Sequence, residues 1–246
     1  MKKYELLKDD TLVIGSKTLY RIRALKYVSA GIVRGTRGGY VESESNLSQD
    51  GECWVHGNAC VYDEALVREN ARVSGDAHVY GKATVSGNAR VFEEARVFDY
   101  ACVAGAAVVR GWASVSDHAS VCGSALICTR ARIEGYVLIR GNSFIGGQSI
   151  IQGDVEIGGD ACVGGIAKIS EINSIVWFSN VGSENGTLTV YTSANGGLSV
   201  TRGCFSGTDS QFMSAVEETH GLESKIGREY SLLMEFARSR IKLNGK

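Results

Sequence analysis

The sequence predicts an all-β fold, a left-handed parallel β-helix of about seven coils with a cap at each end. Three observations predict it. Every sixth residue from Val55 to Val181 is valine or isoleucine. A small residue, usually alanine, follows four positions after most of them. Glycine, asparagine or aspartate recurs between the two, and these residues tolerate the left-handed backbone of tight turns.

A period of six matches neither an α-helix nor an ordinary strand. Each hexad predicts a short strand and a corner, with the branched residue inside and the alanine beside the bend. Three hexads make one triangular coil, and coils stack about 4.8 Å apart. Several separate small β domains are the alternative, but they would not keep one phase over so long a run.

The N-terminal segment, residues 1–40, lacks the period and predicts a cap over the first coil. "TLVIGSKTLYRIRAL" predicts a hairpin that turns at Gly15-Ser16-Lys17. Val41, Leu47 and Cys53 fall in the phase of the alanine column. The predicted division is therefore a β-hairpin cap over 1–40, the β-helix over 41–182 and a C-terminal module of β-hairpin and helices over 183–246.

The C-terminal module begins with two predicted strands that turn near Asn195-Gly196-Gly197. A helix is predicted from Asp209, with Thr208 or Asp209 as N-cap, and Gly221 ends it. A second predicted helix carries an apolar stripe formed by Ile226, Tyr230, Leu233, Ala237 and Ile241. This pair of helices is interpreted either as a cap or oligomerisation element or as a ligand or partner site.

The composition narrows the function classes. The net charge is −1, so no long nucleic acid is expected as a partner. The seven cysteines form no CxxC pair and no Cys/His cluster at zinc spacing, so no metal site is predicted. "MKKYELLKDD" lacks the apolar core of a signal peptide, and no apolar run reaches the roughly 18 residues of a membrane span. We therefore expect a cytoplasmic protein without a membrane partner.

Two segments resemble known families. "RGTRGGYVESESNLSQDGECWVHGNA", followed by the hexads, resembles the start of YdcK-like proteins, which are enterobacterial hexapeptide-repeat proteins classed as transferases. "GSENGTLTVYTSANGGLSVTRGCFSGTDSQFMSAVEETHG" with "REYSLLMEFA" resembles a module at the end of many β-helical phage and prophage proteins. The resemblance implies a phage or prophage accessory protein, which would act in the host bacterial cytosol.

Hexapeptide-repeat acyltransferases give the enzyme hypothesis. The resemblance to them implies a homotrimer with acyl-CoA as cofactor, held between neighbouring prisms, and a histidine as general base. His118, beside Asp117, and His78 are the candidates for that base, and a solvated surface position is the alternative interpretation of both. No loop interrupts the hexads, and the sequence has no P-loop and no Ser/His/Asp set. These observations leave the enzyme question open but favour a non-catalytic protein without a cofactor.

The outer faces of the coils predict contacts. Tyr62, Tyr80 and Phe98 recur on one face and predict an aromatic ladder. A second face is small and weakly polar, which predicts self-association as a homotrimer. A third face carries Arg72, Arg90 and Phe92, which in a groove between subunits would suit an anionic, planar ligand. The alternative is that these arginines only keep the surface soluble.

The leading functional hypothesis is a non-catalytic binder of a small anionic, nucleotide-type ligand, which would sequester a host defence signal. The ligand would lie between subunits, on the Arg72, Arg90 and Phe92 face, or in the C-terminal module. The candidate ligand-binding residues of the C-terminal module are Ser183, Asn185, Arg202, Thr208, His220, Arg228 and Tyr230. The alternative is an acyl-CoA-dependent acyltransferase, and the second alternative is a protein-binding scaffold that uses the C-terminal helices.

Overall fold

The computed structural model describes residues 2–241. An N-terminal cap is formed by strands β1 (Tyr4–Ile14), β2 (Lys17–Ala24) and β3 (Arg37–Val41) and the 3₁₀ turn Glu44–Asn46. The predicted hairpin turn at Gly15-Ser16 is confirmed, since β1 and β2 pair antiparallel with Ile14 opposite Lys17. The last five residues of the predicted C-terminal module lie outside the described residues.

A run of two-residue strands, β4 to β23, forms the body of the protein. In chain order they are Trp54–Val55, Cys60–Val61, Leu66–Val67, Arg72–Val73, His78–Val79, Thr84–Val85, Arg90–Val91, Arg96–Val97, Cys102–Val103, Val108–Val109, Ser114–Val115, Ser120–Val121, Leu126–Ile127, Arg132–Ile133, Leu138–Ile139, Phe144–Ile145, Ile150–Ile151, Glu156–Ile157, Cys162–Val163 and Lys168–Ile169. Each pairs in parallel with the strand one coil away, and those inside the run pair with the strands both before and after, for example Val79 with Val61 and Val97. The predicted parallel β-helix of about seven coils is confirmed.

Three sheets form the three sides of the helix. The ten-stranded sheet has the order β1-β2-β3-β5-β8-β11-β14-β17-β20-β23. The seven-stranded sheet contains every third strand from β4 to β22, and the six-stranded sheet contains every third strand from β6 to β21. The branched column and the alanine column are buried along the whole shaft. Apolar burial on this scale is the main stabilising term of the fold.

The corners are all left-handed at the same hexad position. Most of these residues are glycine, and the others are Asp63, Glu69, Glu93, Asp99, Asp117 and Thr129, with φ between 55° and 63°. Each of those six side chains accepts a hydrogen bond from the backbone N–H of the corner residue one coil later, at 2.7 to 3.5 Å. A side chain at a strained corner is therefore tied to the next coil.

The first coil departs from the predicted phase. Val41 pairs with Val61, and Leu47 forms a bridge with Val67, so both lie in the branched column and their assignment to the alanine column is wrong. Two extra residues enter the chain between Leu47 and Val55 and shift the phase. Cys53, after the insertion, does lie in the alanine column, because the next residue, Trp54, pairs with Arg72, which directly follows Ala71.

The inserted corner is held by Lys3, whose side chain is buried. Its Nζ donates to the carbonyl oxygens of Asp50 and Cys53 at 3.2 and 3.0 Å and lies 3.2 Å from the Cys53 Sγ. Burial lowers the pKa of Lys3 and raises that of Cys53. Trp54 occupies an outward-facing position, directly before the core residue Val55, but it is fully buried because Tyr4 of the cap packs edge-on against it.

The parallel helix ends at Ile169, so the predicted continuation of the coils through Ile175 to Val181 is wrong. After the 3₁₀ turn Ile172–Ser174, strand β24 (Ile175–Val181) starts an antiparallel sheet with β25 (Gly186–Thr192), β26 (Leu198–Arg202) and β27 (Phe205–Thr208). Hydroxyl groups of this sheet bond the last coil: Thr189 accepts from the Cys162 N–H at 3.0 Å and Tyr191 from the Gly164 N–H at 3.1 Å.

Two helices pack on the antiparallel sheet. Helix α1 (Asp209–His220) has Thr208 as N-cap and Gly221 as C-cap, as predicted. Helix α2 (Lys225–Arg240) begins after Ser224, which caps it. Tyr230 and Ala237 of the predicted stripe are buried, and with Met234 they join a core that is separate from that of the β-helix.

Candidate functional site

A cavity of about 310 Å³ opens between the antiparallel sheet and helix α1. We call it the C-terminal pocket. It is lined by Ser183, Glu184, Arg202, Gly203, Cys204, Phe205, Phe212, Ala215, Val216, Thr219, His220 and Tyr230. Its size is at the small end of the range of ligand sites, roughly 300–1,000 Å³. The walls are mainly apolar and aromatic, with a few convergent polar groups.

Arg202 is the principal charged group of the C-terminal pocket. It ends strand β26, and only 10% of its side chain is exposed. One guanidinium nitrogen donates to the Val181 carbonyl at 3.0 Å, and the Glu184 carboxylate, which is 82% exposed, is 4.0 Å from the other. The Nε is buried without a hydrogen-bond partner among the described residues. The charge of Arg202 is thus only partly compensated by the protein.

The backbone of Gly186 gives Arg202 its room. A Cβ at Gly186 would lie 2.5 Å from a guanidinium nitrogen of Arg202, so no larger residue fits here without displacing the arginine. The ring of His220, at the end of α1, lies 6.4 Å from the ring of Tyr230 on α2. The sheet and both helices thus each contribute polar groups to the C-terminal pocket.

Four of the seven predicted C-terminal residues line this pocket: Ser183, Arg202, His220 and Tyr230. The other three have roles in local structure. Thr208 accepts the N–H of Gln211 as helix cap, Asn185 lies in a turn with φ 50°, and Arg228 donates to the Glu223 carbonyl at 2.6 Å. The apolar lining residues Phe205 and Phe212, and Cys204, were not predicted, because only the fold brings them to one cavity.

The predicted arginine face is divided in the structure. Arg72 donates to Ser29 of the cap at 2.8 Å and pairs with Glu52 at 3.6 Å, so it belongs to the cap and not to an open groove. Arg90 is exposed and lies over the ring of Phe92, 5.1 Å from its centroid. An exposed cation–π pair of this kind contributes about 0.5–1 kcal/mol and leaves Arg90 accessible.

The two histidines proposed as bases lie in aromatic surroundings. His118 is stacked between Tyr100 and Tyr136, with ring centroids 4.9 and 4.8 Å apart. The neighbouring Asp117 carboxylate accepts the N–H of Gly135 at 2.8 Å, so it is engaged by the next coil. His78 lies edge-on to Tyr62 at 6.0 Å, and burial, followed by the charge of Arg96, lowers its pKa.

The aromatic ladder predicted on the ten-stranded sheet is confirmed. The rings of Tyr62, Tyr80 and Phe98 stack with centroids 5.1 and 5.0 Å apart and nearly parallel planes. Burial raises the pKa of the Tyr62 hydroxyl. Such offset-stacked pairs add roughly 0.5–1.5 kcal/mol each beyond area burial, which assigns this ladder a stabilising role between coils.

Within residues 2–241, no group of three or more His, Cys, Asp or Glu side chains is arranged to hold a metal ion. None of the helices described is both long and apolar enough to cross a membrane. No protein-family model matches this chain, and no curated protein matches it significantly. The strand pairing shows the parallel β-helix, while the relation to YdcK-like and phage proteins stays a prediction from the segments quoted above.

Proposed function

We propose that this protein is a non-catalytic binder of a small anionic ligand, held in the C-terminal pocket. The observation that carries the proposal is Arg202: its guanidinium lines the cavity, is nine-tenths buried and keeps an Nε without a partner among the described residues. A buried charge without full pairing is costly. A phosphate or carboxylate of the ligand would supply the missing acceptor as a charge-assisted hydrogen bond.

The rest of the C-terminal pocket supports a ligand with an apolar or aromatic part. Phe205 and Phe212 lie edge-on to each other, 5.3 Å apart, in its wall. Ser183 and His220 offer further hydrogen-bond partners. The volume of about 310 Å³ fits a ligand of mononucleotide size. This supports a nucleotide-type ligand, and we infer the sequestration of such a signal as the biological role.

The test is isothermal titration calorimetry with the full chain against inorganic phosphate, mononucleotides, cyclic dinucleotides and acetyl-CoA. We expect a mononucleotide-sized anion to bind and Arg202→Met to weaken it tenfold or more, because hydrogen bonds to charged groups contribute about 1.5–3 kcal/mol. Arg202→Lys keeps the charge and should lose less. Arg110→Gln, which removes an exposed arginine of the helix surface, is the matched control.

Sequestration without turnover has its own readout. After prolonged incubation the ligand should be recovered unchanged by mass spectrometry once the protein is denatured. Recovery of a hydrolysed ligand would contradict non-catalytic binding, and transfer of the acetyl group of acetyl-CoA to an acceptor with release of free CoA would instead support the acyltransferase alternative. Absence of binding across the whole panel, or equal binding by wild type and Arg202→Met, would remove the proposal.

Self-association as a homotrimer belongs to the same proposal. The face that would mediate it carries half-buried small residues such as Cys102, Ser120 and Cys122, which allow close approach of a second β-helix. Native mass spectrometry measures the subunit number directly. Cys122→Arg on this face should lower it, and a wild-type protein that is monomeric at micromolar concentration would exclude this part.

A further inference from the structure

The corner between the seven-stranded and ten-stranded sheets carries a second concave site. We call it the Trp112 groove. Its volume is about 420 Å³, and it shares no lining residue with the C-terminal pocket. It is lined by Glu94, Arg96, Trp112, Ser114, Arg130 and Arg132. Three of these six side chains are arginines, in a chain whose net charge is −1.

The register of the coils arranges two arginines around a gap. Arg96, Ser114 and Arg132 are paired in line on strands β11, β14 and β17. The two arginine backbones are two coils apart, about 9–10 Å at the usual strand spacing. Ser114 between them is small and presents a hydroxyl group. Two guanidinium groups on either side of a serine can converge on one phosphate, which guanidinium matches in geometry.

Trp112 forms the wall of the groove. It is 58% exposed, its indole N–H donates to the Glu94 carboxylate, and the guanidinium of Arg130 lies 5.5 Å from its ring centroid. The hydrogen bond to Glu94 fixes the ring, while much of the apolar surface of the indole remains open. An exposed, oriented indole of this kind stacks with nucleobases.

The positive charge of the groove is incompletely neutralised. Arg132 pairs with Glu134 at 2.5 Å. Neither Arg96 nor Arg130 forms an ion pair with any residue in the described part of the chain. The charge of Arg96 also reaches the neighbouring His78, where it adds to the effect of burial on the pKa.

We propose that the Trp112 groove binds a nucleotide, with its phosphates on Arg96 and Arg132 across Ser114 and its base against Trp112. This inference goes beyond the proposed function, because it assigns a second site with different residues. Both parts of a nucleotide, the phosphates and the base, have a binding partner in the groove. An anion without a ring, or an aromatic compound without a charge, would contact only part of it.

The test is titration of the full chain with ATP, pyrophosphate and adenosine at low salt, followed by calorimetry and tryptophan fluorescence. We expect ATP to bind more tightly than either part and to change the fluorescence. In the Arg202→Met background, which removes binding in the C-terminal pocket, the Arg96→Gln/Arg132→Gln double variant should weaken ATP binding at least tenfold. Trp112→Leu should also weaken it and remove the fluorescence change. The control Arg68→Gln/Arg140→Gln removes the same charge from the six-stranded side and should bind within twofold of wild type.

Arg202→Met distinguishes the two sites. Arg202 does not line the Trp112 groove, so this variant should still bind ATP there. The proposal is overturned if ATP fails to bind, if the control loses as much affinity as the double variant, or if Arg202→Met alone abolishes binding. Circular dichroism checks the fold of each variant. If the double variant does not fold, the proposal is tested by Trp112→Leu and by the salt dependence of ATP affinity, which should fall as the salt concentration rises. ATP affinity that changes with neither the variant nor the salt concentration refutes the proposal.

Discussion

The left-handed corners allow a quantitative test of how the coils tolerate side chains. Gly123 has φ +70°, and a Cβ there would lie 2.6 Å from the Gly141 oxygen and 2.8 Å from its nitrogen. The left-handed backbone costs alanine about 1–2 kcal/mol, and overpacking adds roughly 1–3 kcal/mol. We therefore expect Gly123→Ala to lower the free energy of unfolding by about 2–5 kcal/mol.

Gly165 provides a matched control. It has a similar φ of +62°, but a Cβ there would meet no atom within 4 Å. Gly165→Ala should therefore show only the backbone cost of about 1–2 kcal/mol. The difference between the two alanine variants measures the clash with the next coil.

Gly123→Asp should be less harmful than Gly123→Ala by about 1 kcal/mol. Aspartate tolerates positive φ better than alanine, and its carboxylate would accept the Gly141 N–H in the way that Asp117 accepts the Gly135 N–H at 2.8 Å. The assay is urea unfolding followed by far-UV circular dichroism, with the slope compared between variants. Equal losses for Gly123→Ala and Gly165→Ala, or an aspartate as costly as the alanine, would refute this account of the corners.

Two further predictions concern titratable groups, the buried Lys3 and the half-buried His78. Lys3→Met should cost roughly 1–3 kcal/mol in urea unfolding, because it leaves the buried Cys53 carbonyl and the partly buried bond to the Asp50 carbonyl without their donor; an unchanged midpoint would contradict it. Because burial, and then Arg96, lower the pKa of His78, the unfolded state binds the proton more readily and stability falls as pH drops below about 6.5. His78→Gln should reduce the loss of unfolding free energy between pH 7 and 5, and a loss as steep as in wild type would show that His78 does not contribute.

The shaft of the helix could be predicted because its signal is local and repeated. Each branched residue returns to the same side every coil, so the burial of Val79 or Ile133 follows from position alone. The stacking of Tyr62 on Tyr80 follows from the same count. The ladder of Tyr100, His118 and Tyr136 obeys the same count at a corner position, three residues after a core valine or isoleucine.

The ends could not be predicted as well, because a period of six is ambiguous there. Side chains of an ordinary strand alternate between its two faces with a period of two, so residues six apart lie on the same face. The antiparallel strand β24 therefore carries Ile175 and Val181 at the same spacing as the coils. Two inserted residues near Asp50 moved Val41 and Leu47 from one buried column to the other, and both columns accept such residues.

The candidate site was predicted only in part, for a reason of distance. Ser183, Arg202, His220 and Tyr230 stood out as polar residues in a distinctive segment, and they share one cavity. What makes Arg202 unusual is its passage over Gly186 on the neighbouring strand. No local pattern reports a contact that depends on strand pairing, so the buried, incompletely bonded guanidinium became visible only in three dimensions.

The hydroxyl groups of Thr189 and Tyr191 have a consequence for assembly. A stack of parallel strands is a template that identical molecules could lengthen without limit, end to end, into a fibre. At the last coil the N–H groups of Cys162 and Gly164 are occupied by side-chain oxygens, which offer no further strand to copy. The closing sheet thus leaves no free parallel edge at Cys162 and Gly164 for another copy to extend, which opposes end-to-end growth on this side.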